Sequence, residues 1–199
     1  MTVGPKGRAE VEAALIDATA TMCRERSPAS VTLRGIAAEA GVNHGQVRHY
    51  FGSKTELVAA TIEHLEGFML DRLETNSTED SAEVLLRSLT EDPAFSHLIG
   101  WLLAEEVSPE SVGLRFRFGR ALIGQMVADG ADTDAATTAA SQIMVVCAGW
   151  TLLRPMLVAS NRLDGNAQRE LVEALATQVR ALAAGPLPGG VPAGPKKPD

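Results

Sequence analysis

Three helix-start signals crowd into the stretch from Thr32 to Glu56, and they leave little freedom for what lies between them. Thr32 stands directly before an apolar-periodic run, Asn43 and Gln46 form one capping-box pair, and Ser53 and Glu56 form another. Such residues satisfy N–H groups that the first turn of a helix leaves without partners, so each marks a start. Their spacing allows roughly two or three turns of helix before the next start. Gly41 closes the first short helix, because glycine readily takes the left-handed conformation a helix end needs. Leu33, Ile36, Ala37 and Ala40 give that helix a buried face, and Val47 is the inward residue of the next. Two short helices joined by a tight turn make a helix-turn-helix.

The rest of the chain also reads as helix. A first helix is expected over 9–26, with Val11, Leu15, Ala18 and Met22 on one face, broken by Ser27-Pro28. The Ser53 capping box opens a long helix carrying Leu57, Thr61, Leu65, Phe68, Met69 and Leu73. The next is expected over 78–91. Asp92-Pro93 and Ser108-Pro109 each place a capping residue before a proline, which predicts helices over 93–107 and 109–128. Arg115 to Phe118 alternates, but Leu114, Phe118, Ala121, Leu122 and Gln125 also form a helical stripe, and the helix is preferred. After a turn at 130–132, a long apolar helix over 134–160 should bend at Pro155. Asn166 is expected to cap a last helix ending near Ala184, and the Gly/Pro-rich residues 185–199 should be disordered. The fold class is all-α.

Charge separates the chain into two parts. Its net charge is −7, yet residues 1–57 hold seven Lys/Arg against six Asp/Glu. A neutral-to-basic head on an acidic body suits a protein that meets polyanions at one end. No uninterrupted apolar run reaches the roughly 20 residues that span a bilayer, and Met1 to Arg8 has no signal-peptide core. A cytoplasmic protein with no membrane association is expected. Cys23 and Cys147 are far apart on apolar faces and read as buried reduced thiols, without the paired spacing of a zinc site. No metal, no cofactor and no enzymatic nucleophile–base arrangement is implied.

Around the helix that starts at Asn43, Gly45, Gln46, Arg48 and His49 point away from Val47, with His44 at the edge and Tyr50 flanking the inward side. Gly45 lets the backbone approach a partner closely. Gln46 can pair with adenine and Arg48 with guanine in a major groove. The helix N-terminus favours phosphate, and Lys54 with the N–H groups near Ser53 could hold another. The alternative is an ordinary solvated face.

The run from Thr32 to Leu57 resembles the signature of the tetracycline-repressor (TetR) family: Ile36-Ala37, Ala40-Gly41-Val42, Gly45, His49-Tyr50-Phe51 and Ser53-Lys54 followed by Leu57. The resemblance implies an N-terminal three-helix helix-turn-helix DNA-binding domain (1–57), a helical effector and dimerisation domain (58–184) and a tail (185–199). It implies phosphate contacts at Thr32 and Lys54, groove contact by Arg34, and a recognition helix over Asn43–Tyr50. Two positions depart from the family: Arg48 stands where Tyr is usual, and Asn43 replaces Ser or Thr.

The same resemblance implies a homodimer formed by the last two helices. Their own apolar stripes agree: Ile143, Val146, Cys147, Trp150, Leu153 and Leu157, then Leu171, Leu175, Val179 and Leu182. Candidate effector contacts are Phe68, Phe95, Leu98, Trp101, Leu102, Phe118, Met126, Cys147 and Trp150, with His97, Arg115 and Arg154 as polar partners. The expected function is a repressor released from a palindromic double-stranded DNA operator by a small-molecule effector. The rivals are a ligand carrier or enzyme on the same scaffold, or a regulator answering to a protein partner. A cavity of several hundred cubic ångströms in the body would favour the small molecule, and a filled core the protein partner.

Overall fold

A computed structural model describes residues 7–73 and 76–185. The N-terminal helix α1 (Arg8–Glu25) stops where Ser27 caps a 3-10 turn over Pro28–Ser30. Thr32 then caps α2 (Leu33–Glu39), its Oγ1 accepting the Gly35 N–H at 3.1 Å. Gly41 turns the chain at φ +66°, a conformation that would strain any other residue. The next helix, α3 (His44–Phe51), ends at Gly52, which stands at φ +69°. The fourth, α4 (Lys54–Leu73), starts at the Ser53–Glu56 box, with both reciprocal hydrogen bonds in place at 2.8 and 3.2 Å.

These helices pack around Leu15, Ile36, Val47, Leu57 and Ile62, all essentially without solvent contact. Fully burying such a side chain is worth about 1.5–3 kcal/mol each. The cluster does not stop at the head. Leu98 and Leu102, from α6 (Ala94–Ala104), and Leu114 belong to it.

The body is built from α5 (Thr78–Glu91), α7 (Arg117–Ala128), α8 (Thr133–Asn161) and α9 (Gly165–Ala183). Leu86, Leu122, Ile143 and Val179 form its dry centre. Across the rim of α5 and α9, Arg87 forks onto Glu173 at 3.0 and 2.7 Å. Arg180 pairs with Asp80 and with Glu83, the latter at 3.0 Å. The last residues of α4 reach this core through Leu73, while its first turns belong to the head. The expected boundary after residue 57 therefore falls inside a helix shared by both clusters.

Several expectations shift. The helix expected over 109–128 is two pieces: a 3-10 turn, Pro109–Val112, and α7, separated by Gly113 and by Phe116 at φ 45°. The Ser108 hydroxyl caps no backbone N–H and donates to Glu110 instead, and the left-handed Phe116 breaks the ladder before α7. The helix expected to reach 107 ends at Ala104. The last helix is capped by Asp164, not Asn166, which lies inside its first turn. Apart from Gly185, the tail expected to be disordered lies outside the described residues.

An 18-residue stretch within α8 is apolar enough (mean hydropathy 1.6), and the helix long enough, to cross a bilayer, although it holds no uninterrupted apolar run of that length. One of its faces is buried in the body through Ala136, Ala140, Ile143, Cys147 and Trp150. Its opposite side leaves Val145, Leu153 and Met156 exposed.

Candidate nucleic-acid interface and effector cavity

Two turns of helix hold the reading face, so its placement depends on its ends. Asn43 Oδ1 accepts the Gly45 N–H at 2.8 Å, and Gln46 Oε1 accepts the Asn43 N–H at 3.0 Å. Val47 anchors the inner side at full burial. His44, Gly45, Arg48 and His49 are exposed, and nothing but Asn43 Oδ1 lies near the space outside Gly45. Arg34, exposed on α2, and Arg48 have no ion pair or hydrogen bond among the described residues. Two guanidinium forks are thus available to phosphate or base edges. Tyr50 is half-buried, edge-on to His49 at 4.9 Å and under Arg8 at 5.8 Å, so its ring braces α3 against the start of α1.

Three candidates behave differently from expectation. Gln46 is half-buried and its amide oxygen is engaged by the capping box. A bidentate pair with adenine needs that oxygen as well as the amide nitrogen, so the oxygen's second lone pair must reach the base while the first holds the cap, or the box must open. The Ser53 N–H, expected to face phosphate, donates instead to Glu56 Oε2 at 2.8 Å. Lys54 turns inward. Its ammonium donates to the Pro28 carbonyl and lies 5.0 Å from the centre of the Trp101 ring. Burial pulls its pKa below the ordinary lysine value, partly opposed by Cys23 and Glu105. Lys54 is a pin between head and α6, not a free phosphate hold.

More pins cross the same joint. His97 Nδ1 lies 2.7 Å from the Cys23 carbonyl oxygen, and Arg24 pairs with Asp92 at 2.8 Å. On the other side of α4, Glu63 Oε1 accepts the Arg115 N–H at 3.0 Å and Glu66 Oε1 accepts the Phe118 N–H at 2.8 Å. Both thiols are buried, and burial pushes Cys23 up to about 11 and Cys147 up to about 12.

The expected effector residues do not gather at one place. Phe95 and Phe118 line an apolar cavity of about 200 Å³ bounded by α4, α5, α6, α7 and α8. Leu98, Trp101 and Leu102 instead pack in the head cluster, and Met126, Cys147 and Trp150 pack in the body core. Phe68 is 57% exposed and borders an open groove beside Arg24 and Arg72. His97 and Arg154 border a third, more polar hollow with Gln168, whose Oε1 accepts from Arg154 Nη2 at 3.1 Å. Arg115 takes part through its backbone, its N–H donating to Glu63 Oε1 and its carbonyl accepting from Arg120. The cavity's own residues were mostly not anticipated, above all Glu66, Met69 and Met144. One signal did exist. Glu66 interrupts the otherwise apolar series Val58, Ile62, Met69 and Leu73 at helical spacing.

Residues 15–61 match the profile of bacterial regulatory proteins of the tetR family. Over 161 residues the chain is 33% identical to the HTH-type transcriptional repressor Rv3405c of Mycobacterium tuberculosis, covering 80% of this chain and 82% of that protein. A tetR-family transcriptional regulator from Streptomyces coelicolor superposes with a TM-score of 0.65 at 22% identity, over 90% of this chain and 82% of its own. FadR from Bacillus subtilis, in complex with stearoyl-CoA, superposes with a TM-score of 0.61 at 15% identity, over 86% and 97% of the two chains. The two structures speak for the fold, and the mycobacterial relative for the kinship. With its exposed α3 face, this chain belongs to the tetR family of helix-turn-helix transcriptional regulators.

Proposed function

We propose that the protein is a cytoplasmic homodimer that represses transcription from a palindromic operator in double-stranded DNA and is released by a small-molecule effector. The observation that carries this reading is the α3 face: Arg48 without a partner among the described residues, exposed His44 and His49, and an open Gly45 on a helix fixed by caps at both ends. A helix so presented fits a major groove, where Arg48 reads guanine or grips phosphate and Arg34 adds a second cation. Residues 1–57 act as the reading head and 58–184 as the effector and dimerisation part.

A single head this small offers few base contacts, and a dimer doubles them at a fixed spacing. Val145, Leu153 and Met156 support such a dimer. They fall near one line along α8, with Gly149 between them, and expose apolar surface that a second copy would cover. The mycobacterial relative is itself a transcriptional repressor.

At about 200 Å³ the cavity is smaller than the several hundred cubic ångströms expected, and it supports the effector half of the reading by its place in the fold. Its wall includes Glu66 and Met69 of α4, the helix whose first turns hold the head core through Leu57 and Ile62. A ligand that fits one setting of α4 better than another shifts the spacing of the two heads. Only such differential affinity releases DNA. Selection of bound duplexes from a random pool tests the proposal. A palindrome with half-sites about one helical turn apart, or a multiple of it, is the expected outcome. A pool without enrichment contradicts it.

A further inference from the structure

We infer that the effector of the five-helix cavity is a small apolar molecule bearing one protonated amine, and that Glu66 is the residue that selects it. This rests on the effector reading above. The cavity, at about 200 Å³, is smaller than the roughly 300–1,000 Å³ of common ligand pockets. It is larger than the roughly 150 Å³ void that accepts benzene. It suits one ring with a short chain.

Met69, Leu89, Phe95, Phe118, Met144 and Leu152 make the wall greasy. Glu66 lies among them with 3% of its surface exposed. Its Oε1 accepts the Phe118 N–H in the first turn of α7, where the helix end favours a negative charge. Among the described residues, Oε2 has no partner, and no lysine or arginine lines the cavity.

A buried carboxylate left half-paired is costly, so the ligand group that relieves it contributes most to binding. A protonated amine forms a charge-assisted hydrogen bond there. A carboxylate ligand would face like charge with no cation to offset it. An alcohol donates a weaker bond, and a hydrocarbon donates none. Ser96, the other polar residue of the lining, accommodates a second donor or acceptor but supplies no charge.

Four probes of one shape test the inference by calorimetry on the full-length protein: 2-phenylethylamine, 2-phenylethanol, ethylbenzene and phenylacetate. The amine is expected to bind at least about tenfold tighter than the alcohol or the hydrocarbon, with phenylacetate weakest. Glu66→Gln should erase the amine's advantage while ethylbenzene still binds. Ala148→Phe, which fills the cavity from α8, should abolish binding of every probe. The inference is overturned if phenylacetate or ethylbenzene equals the amine, if no probe binds, or if the amine's preference survives Glu66→Gln. It also falls if Ala148→Phe leaves amine binding intact. If Glu66→Gln does not fold, the ranking in the unaltered protein and the Ala148→Phe result decide. Operator binding is measured in parallel without probe. Its absence beside a normal amine preference overturns the regulator reading instead, and intact operator binding without that preference overturns only the present inference.

Discussion

The α3 face and the cavity wall each carry a charged group with bonding capacity left over, but the two surpluses mean different things. Arg48 is solvated, so its lack of a protein partner is nearly free of penalty, and only its neighbours on one short helix make it informative. Glu66 is buried beside an apolar cavity, where among the described residues only its Oε1 has a protein partner, so a single half-paired carboxylate already asks for one. A surface site has to be argued from a set of residues, whereas a buried one can be argued from one atom. The joint between them is pinned by Lys54, His97 and Arg24, which lets a change at one region reach the other.

Substitutions can break that comparison. The largest expected effect is on DNA discrimination. Arg48→Ala should relax the preferred base at one position of each half-site, at about 1–3 kcal/mol per half-site, while Arg34→Ala lowers affinity for all sequences alike. Binding titrations over a mutated operator set would show it, and a uniform loss from Arg48→Ala would make it a phosphate contact. Next come the two cores. Leu57→Ala in the head and Leu122→Ala in the body should each cost about 2–5 kcal/mol in urea unfolding, both side chains being fully buried.

Gly45→Ala separates stability from function more finely. Its added methyl meets only Asn43 Oδ1, at 3.3 Å, so stability should change by no more than about 1 kcal/mol while operator affinity falls. Unchanged affinity would mean that the backbone there does not approach DNA.

Acid should act on the body's rim. Asp80, Glu83 and Glu173 are held below their ordinary carboxylate values, mainly by hydrogen bonds from Arg180, Arg87 and Arg87 respectively. Because the folded values are depressed, their stabilisation is present above the ordinary carboxylate range and is lost as pH falls through the lowered values. Melting temperature should therefore drop at pH values below those ordinary values, 3.8 for Asp and 4.5 for Glu, and less steeply in Arg180→Ala. The smallest effect is chemical: Cys23 and Cys147, with pKa values near 11 and 12, should resist thiol reagents at neutral pH until the protein unfolds.

The head was almost fully legible in the sequence, because caps act between residues three apart and a one-dimensional pattern contains them. Thr32, Asn43 with Gln46, and Ser53 with Glu56 all bond as their spacing implies. What the pattern could not carry is direction across the fold. Lys54 points to Trp101 of a helix far along the chain, and nothing local announces that turn. Gln46 suits both a cap and an adenine contact in sequence, but the cap turns its amide back toward Asn43 and leaves it half-buried. The break before α7 depends on the left-handed Phe116, which no glycine or proline at that position marks. Aromatic residues drew attention to the effector region, yet most of them fill cores, and the charged residue that stands in the cavity is Glu66. Its signal was a charge in phase with an apolar stripe.

The central claim is that α3 reads DNA. Its most direct test is titration of the selected operator with the unaltered protein and with the Gln46→Ala/Arg48→Ala variant at one fixed salt concentration. The account predicts that the variant remains dimeric and binds the operator no better than a scrambled duplex. Operator affinity equal to that of the unaltered protein would contradict it.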